Sequence, residues 1–145
     1  MTTVARSALL AYSAQEIFAL VNDVASYREF LPFCIASEVL EAGSGEMQAR
    51  IAFSRMGLSQ SLITRNRLTP HSEISIEFVS GPFEFLRGRW EFLELHASAC
   101  KVNFSMDFQL QAKFLQFAAV SAINQGVGQT VDAFQRRAVQ VYGQR

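Results

Sequence analysis

The stretch Ala112–Tyr142, AKFLQFAAVSAINQGVGQTVDAFQRRAVQVY, decides how the whole chain is read. Its apolar residues Phe117, Val120, Ile123, Val127, Val131, Phe134, Ala138 and Val141 recur at steps of three and four. That spacing lines one side of a 3.6-residue period and predicts one long helix. Such a stripe needs an apolar surface to cover. The helix centre, Asn124–Thr130 (NQGVGQT), carries Gly126 and Gly128, each of which costs about 1 kcal/mol relative to alanine in a helix interior. Two explanations stay open. The glycines allow close packing on the facing surface or a bend, or they mark a flexible, polar-lined point where Asn124, Gln125 or Gln129 meets the polar group of a ligand. Positions 114 to 131 hold no charge, yet Gln116, Ser121, Asn124, Gln125, Gln129 and Thr130 interrupt them. A membrane span needs about 20 predominantly apolar residues and is excluded.

Upstream, the chain reads as strands that supply the missing surface. Thr2–Leu10 predicts an opening strand, and Ser13 with Glu16 forms a capping box that starts a helix through Asn22. A second box, Ser26 with Glu29, predicts a short helix over Tyr27–Leu31 stopped by Pro32. Cys34–Glu41, a turn at Gly43–Gly45 and Glu46–Met56 then make a hairpin ended by Gly57. Met47, Ala49, Ile51 and Phe53 share one of its faces, and Gln48, Arg50 and Ser54 the other. Leu58–Leu68 places Leu58, Leu62 and Leu68 inward with Arg65 and Arg67 outward, and Glu73–Val79 turns Ile74, Ile76 and Phe78 inward. After the break at Gly81 and Pro82, Phe83–Leu95 sets Leu86, Trp90 and Phe92 against Arg87, Arg89 and Glu91. In Cys100–Leu110, Cys100, Val102, Phe104, Met106, Phe108 and Leu110 alternate strictly with polar residues. One strand, two short helices, six strands and a long helix, each with one apolar face, predict an α+β domain whose antiparallel sheet wraps the C-terminal helix.

Composition limits the function. A chain of 145 residues is the size of one domain, 1–145, and can bury a substantial core. Half of it is hydrophobic, 18% is charged and 13 residues are Phe, more apolar side chain than a small core requires, which an apolar cavity would absorb. The formal net charge is zero, so the molecule as a whole generates no field that draws in nucleic acid, and no DNA partner is expected. Cations are concentrated locally: between Glu46 and Glu73 stand Arg50, Arg55, Arg65 and Arg67 and no acid. Cys34 and Cys100 read as small core residues of a reducing cytoplasm, and neither has a neighbour at metal-ligand spacing.

Three segments carry a family resemblance: FALVNDVASYREFLPFC (Phe18–Cys34), SGPFEFLRGRW (Ser80–Trp90) and DAFQRRAVQVYG (Asp132–Gly143). In this order they resemble bacterial proteins of the RatA and coenzyme Q-binding group, within the START-like, polyketide cyclase-like superfamily. The resemblance spans essentially the whole chain. It implies the helix-grip fold, a seven-stranded antiparallel sheet around the C-terminal helix with an apolar cavity between. It also implies a choice of roles: a non-catalytic carrier of a polyprenyl quinone such as ubiquinone, supporting respiration, or a toxin that binds the large ribosomal subunit and blocks subunit joining. A third is a cyclase or aromatase.

The residues favour the first. His71 and His96 fall in turns, and no nucleophile elbow, phosphate loop or zinc helix is present, so no catalytic residue and no metal are expected. A binding site for a hydrophobic molecule needs an apolar, aromatic lining with a few polar groups. Phe53, Phe78, Trp90, Phe104 and Phe108 on the sheet and Phe117, Val120, Ile123 and Val127 on the helix are the candidate lining, with Asn124 as polar contact. By resemblance, Pro32 and Phe33 form the mouth. A bound polyprenyl quinone is the only small-molecule companion expected. The ribosome alternative rests on Arg50, Arg65, Arg67, Arg87 and Arg89, which alternation puts on the outer face, where cations meet phosphate. The expected location is the cytoplasm, peripheral to the inner membrane, with transient membrane contact.

Overall fold

The structure is a computed structural model and describes residues 1–55, 58–112 and 117–145, with the side-chain surroundings of all of these except 55, 58 and 117–121. Met56, Gly57 and residues 113–116 of the expected long helix lie outside the described residues. Seven strands form one antiparallel sheet: β1 (Thr2–Leu10), β2 (Cys34–Gly43), β3 (Glu46–Arg55), β4 (Leu58–Thr69), β5 (Glu73–Ser80), β6 (Phe83–His96) and β7 (Ala99–Leu110). Their order is β1-β7-β6-β5-β4-β3-β2. Strands β2 to β7 are therefore a meander of consecutive hairpins, and β1 joins at the far edge, Thr2 opposite Phe108 and Leu10 opposite Cys100. The fold class expected from alternation is the one observed.

Helix α1 (Ala14–Asn22) starts as its sequence dictates: Ser13 Oγ accepts from the Glu16 N–H at 3.1 Å, and Glu16 Oε1 accepts from the Ser13 N–H at 3.0 Å. The second box does not form. Residues Val24–Glu29 make a 3-10 helix with no side-chain cap; its N-cap is Asp23, so Ser26 lies inside it, and the Ser26 hydroxyl donates to Asp23 Oδ2 at 2.6 Å. The β2–β3 turn is also tighter than expected, since β2 runs on to Gly43 and leaves Ser44 and Gly45 at the bend, Gly45 with φ +71°.

Helix α2 (Phe117–Tyr142) lies on the inner face of the sheet, with Val127, Val131, Phe134 and Ala138 buried and Ile123 partly so. Its anchor is Phe134, edge-on to Trp90 at 5.3 Å, to Tyr27 at 5.4 Å and to Phe30 at 5.2 Å between ring centroids. Trp90 is stacked on Phe104 at 4.3 Å, and Phe18 of α1 meets Phe92 edge-on at 5.4 Å. Val141, expected at the end of the stripe, is 50% exposed. In that last turn Tyr142 faces inward instead, its hydroxyl donating to the Glu16 carbonyl at 2.8 Å.

Candidate functional site

The inner face divides into a closed and an open part. Trp90, Phe104 and Phe108 are buried in the aromatic core, together with Leu86 and Phe92. Ile51 of β3, Leu62 of β4, Ile76 and Phe78 of β5, Met106 of β7 and Ile123 of α2 are only partly buried, although their strand phase or helix face turns them toward the interior. An apolar surface incompletely covered by its own chain is thus centred on β3, β4 and β5. Phe53, opposite Cys34 at the start of β2, is 37% exposed. Phe33 adopts φ +65°, uncommon for a phenyl side chain, and its carbonyl accepts from the Ser54 N–H at 2.9 Å, tying the Pro32–Phe33 corner to the end of β3. The side chains of Phe117 and Val120 lie outside the described ones.

Asn124 is exposed on the flank of α2, where its Oδ1 accepts from Arg6 Nη2 at 3.1 Å. Arg6 shares the inner face of β1 with Val4 and Ala8, and its Nη1 also donates to the Ala5 carbonyl at 2.8 Å. It lies against Gly128, where an added Cβ would stand 3.2 Å from Arg6 Nε; a Cβ added at Gly126 would meet nothing within 4 Å beyond its chain neighbours and the helix's own backbone.

Sequence reasoning missed a polar pair. On β4 the inward phase set by Leu62 and Leu68 continues through Thr64 and Asn66, which are 5% and 8% exposed. Thr64 Oγ1 donates to Asn66 Oδ1 at 3.0 Å. The alternation itself was the available signal, since Thr64 and Asn66 share the phase of Leu62 and Leu68. Gln129 Oε1 is a further buried oxygen and has no hydrogen-bond partner among the described residues.

On the outer face all five expected arginines meet carboxylates: Arg50 with Glu38 at 3.1 Å, Arg65 with Glu46 at 3.2 Å, Arg67 with Glu77 at 3.6 Å and Arg87 with Asp107 at 3.5 Å. Arg89 is 3.6 Å from both Glu73 and Glu91. Arg87 and Arg89 flank a shallow polar groove floored by Ser75, Gly88 and Ser105. These pairs are solvent-exposed, so each contributes little to stability and its arginine is easily redirected.

Among the described residues no group of His, Cys, Asp and Glu side chains is placed to hold a metal ion. His71 packs edge-on to Phe18 at 5.5 Å, and His96 Nδ1 accepts from the Ser98 N–H at 3.2 Å. Cys34 and Cys100 are free and buried, and burial, with Glu16 and Glu94 adding to it, pushes the Cys100 thiol up to about 11. No described helix is long and apolar enough to cross a membrane.

A sheet gripping a helix in this way is the START-like, helix-grip fold. The family described as polyketide cyclase / dehydrase and lipid transport matches residues 10–135. Ribosome association toxin RatA of Vibrio cholerae is 44% identical over 144 residues, 99% of this chain and all of that protein. The mitochondrial coenzyme Q-binding protein COQ10 homolog B of Xenopus laevis is 24% identical over 96% of this chain and 59% of its own length. The Zhui aromatase/cyclase of Streptomyces sp. R1128 superposes with a TM-score of 0.85 over 99% of both chains at 20% identity, a likeness of fold alone. The chain belongs to the RatA group of the polyketide cyclase, dehydrase and lipid transport family.

Proposed function

We propose that this protein binds a hydrophobic molecule between the inner face of its sheet and α2, without transforming it, and that the molecule is a polyprenyl quinone. One observation carries the reading: Ile51, Leu62, Ile76, Phe78, Met106 and Ile123 point inward yet are only partly buried. Leaving apolar area uncovered forfeits about 25 cal/mol for each Å² that burial would have removed from water, and a resident apolar molecule supplies that cover. The coenzyme Q-binding relative supports the quinone as the occupant. Organic extraction and mass spectrometry of the protein purified from a quinone-producing host should recover the quinone. Recovery of no lipid, with no quinone binding in titration, overturns the reading.

A second reading, association with the large ribosomal subunit, is supported by the RatA relatives. The outer-face arginines are its contact candidates, and their carboxylate partners must yield to phosphate for it to operate. It predicts co-sedimentation with the large subunit that weakens steeply with salt and is abolished by Arg65→Glu with Arg67→Glu. Ribosome profiles indifferent to the protein and to both changes remove it.

A further inference from the structure

We propose that Thr64 and Asn66 recognise an uncharged oxygen acceptor on the bound molecule, so that the site selects apolar ligands carrying a carbonyl or similar oxygen over pure hydrocarbons. The inference deepens the hydrophobic-binding reading and rests on it. Both residues are more than nine-tenths buried on the inner face. Their cross-strand neighbours are Ala49 and Phe78 beside Thr64, and Met47 and Ile76 beside Asn66, so the pair is a polar island in an apolar wall. Ile76 and Phe78 belong to the partly covered surface described above, which puts the island at its border.

The Thr64 hydroxyl spends its proton on Asn66 Oδ1, and this bond holds the amide in one orientation. The amide nitrogen is left with two hydrogens, and it is not among the buried side-chain atoms that lack a partner, so with no acceptor among the described residues it keeps accessible surface. A donor that stays accessible in an otherwise apolar wall is free to bond an acceptor that enters there. A ligand carbonyl accepting from Asn66 Nδ2 completes the set. None of the four cross-strand neighbours is charged, so an ionised head group would be desolvated there without a counter-ion, and a neutral acceptor is selected. Thr64 acts as a positioning residue, and Asn66 makes the contact.

The test compares an alkylated benzoquinone with the alkylbenzene of identical tail, each dissociation constant corrected for partition between water and octanol. The intact chain should bind the quinone about tenfold more tightly. Asn66→Leu should erase that preference by weakening the quinone alone. Asn66→Asp, of equal size but without the amide donor, should weaken the quinone likewise, and Thr64→Val should lose part of the preference. Equal affinity of the unaltered protein for both probes overturns the proposal and leaves the hydrophobic-binding reading standing, as does a preference that survives both Asn66 changes. Failure of both probes to bind the unaltered protein overturns that reading and the proposal with it.

Discussion

Gly126 and Gly128 stand two residues apart in one helix and have different surroundings. The position of Gly126 is open, so Gly126→Ala should raise stability by about 1 kcal/mol, the helix-propensity gain, in a urea melt. At Gly128 the added methyl meets the Arg6 guanidinium at 3.2 Å, so Gly128→Ala should gain less. The missing part should return in an Arg6→Ala background. Equal gains for Gly128→Ala with and without Arg6 would show that the contact has no energetic weight. The sequence left the same two explanations open for both glycines, because periodicity reports which face a residue occupies and says nothing of a long side chain reaching over from a sheet edge. Asn124 was illegible for the same reason: its Arg6 partner is 118 positions away.

Elements were legible where a local rule met no competitor. The strands follow from alternation, and α1 follows from its capping box. Ser13→Ala should cost about 1 kcal/mol by removing the cap. The Ser26 box failed because the helix starts earlier, at Val24, with Asp23 at its N-cap and Ser26 already inside it. Helix α2 is fastened at both halves by tertiary contacts, and Phe134→Ala should cost about 3 to 5 kcal/mol, since three aromatic neighbours lose their partner. Its C-terminal end adds a pH dependence. The Arg145 guanidinium, 2.7 Å from Glu16 Oε1, and then the Ser13 N–H hold the Glu16 carboxyl below its ordinary value of 4.5. The folded state thus favours the ionised form. The stability this contributes is complete above the ordinary value and is lost as pH falls through the lower folded value. Arg145→Ala should therefore move the acid end of the stability profile to higher pH, and an unmoved profile would show the pair to be inert.

For the molecule as a whole, the order of elements and the segments carrying the family resemblance were enough to reach the grip. The division of the inner face into closed and open parts was not, because it depends on which apolar residues the helix covers, and both kinds share one alternation. The outer face shows the same limit. Alternation assigned the arginines to it, but the registers that bring Glu77 opposite both Arg65 and Arg87, and Asp107 opposite Arg87, are set by pairing across strands. Neutralised in this way, the face predicts that any ribosome binding depends on salt with a slope below that of five free phosphate contacts. A sedimentation series in rising salt measures that slope, and a value matching all five would show that the ion pairs open on binding.

The place of β1 has a consequence for synthesis. Strands β2 to β7 each pair with the strand just before or after them, so their hairpins are free to close as the chain leaves the ribosome. Strand β1 is made first and waits for β7, Thr2 for Phe108. The inner face waits longer still, for α2. Throughout that interval the nascent chain carries an unpaired strand and an uncovered row of aromatic side chains, the condition in which chaperones bind and aggregation begins. Translation stopped anywhere ahead of α2 should therefore yield a product with its inner face uncovered, which a chaperone pull-down of stalled chains would detect.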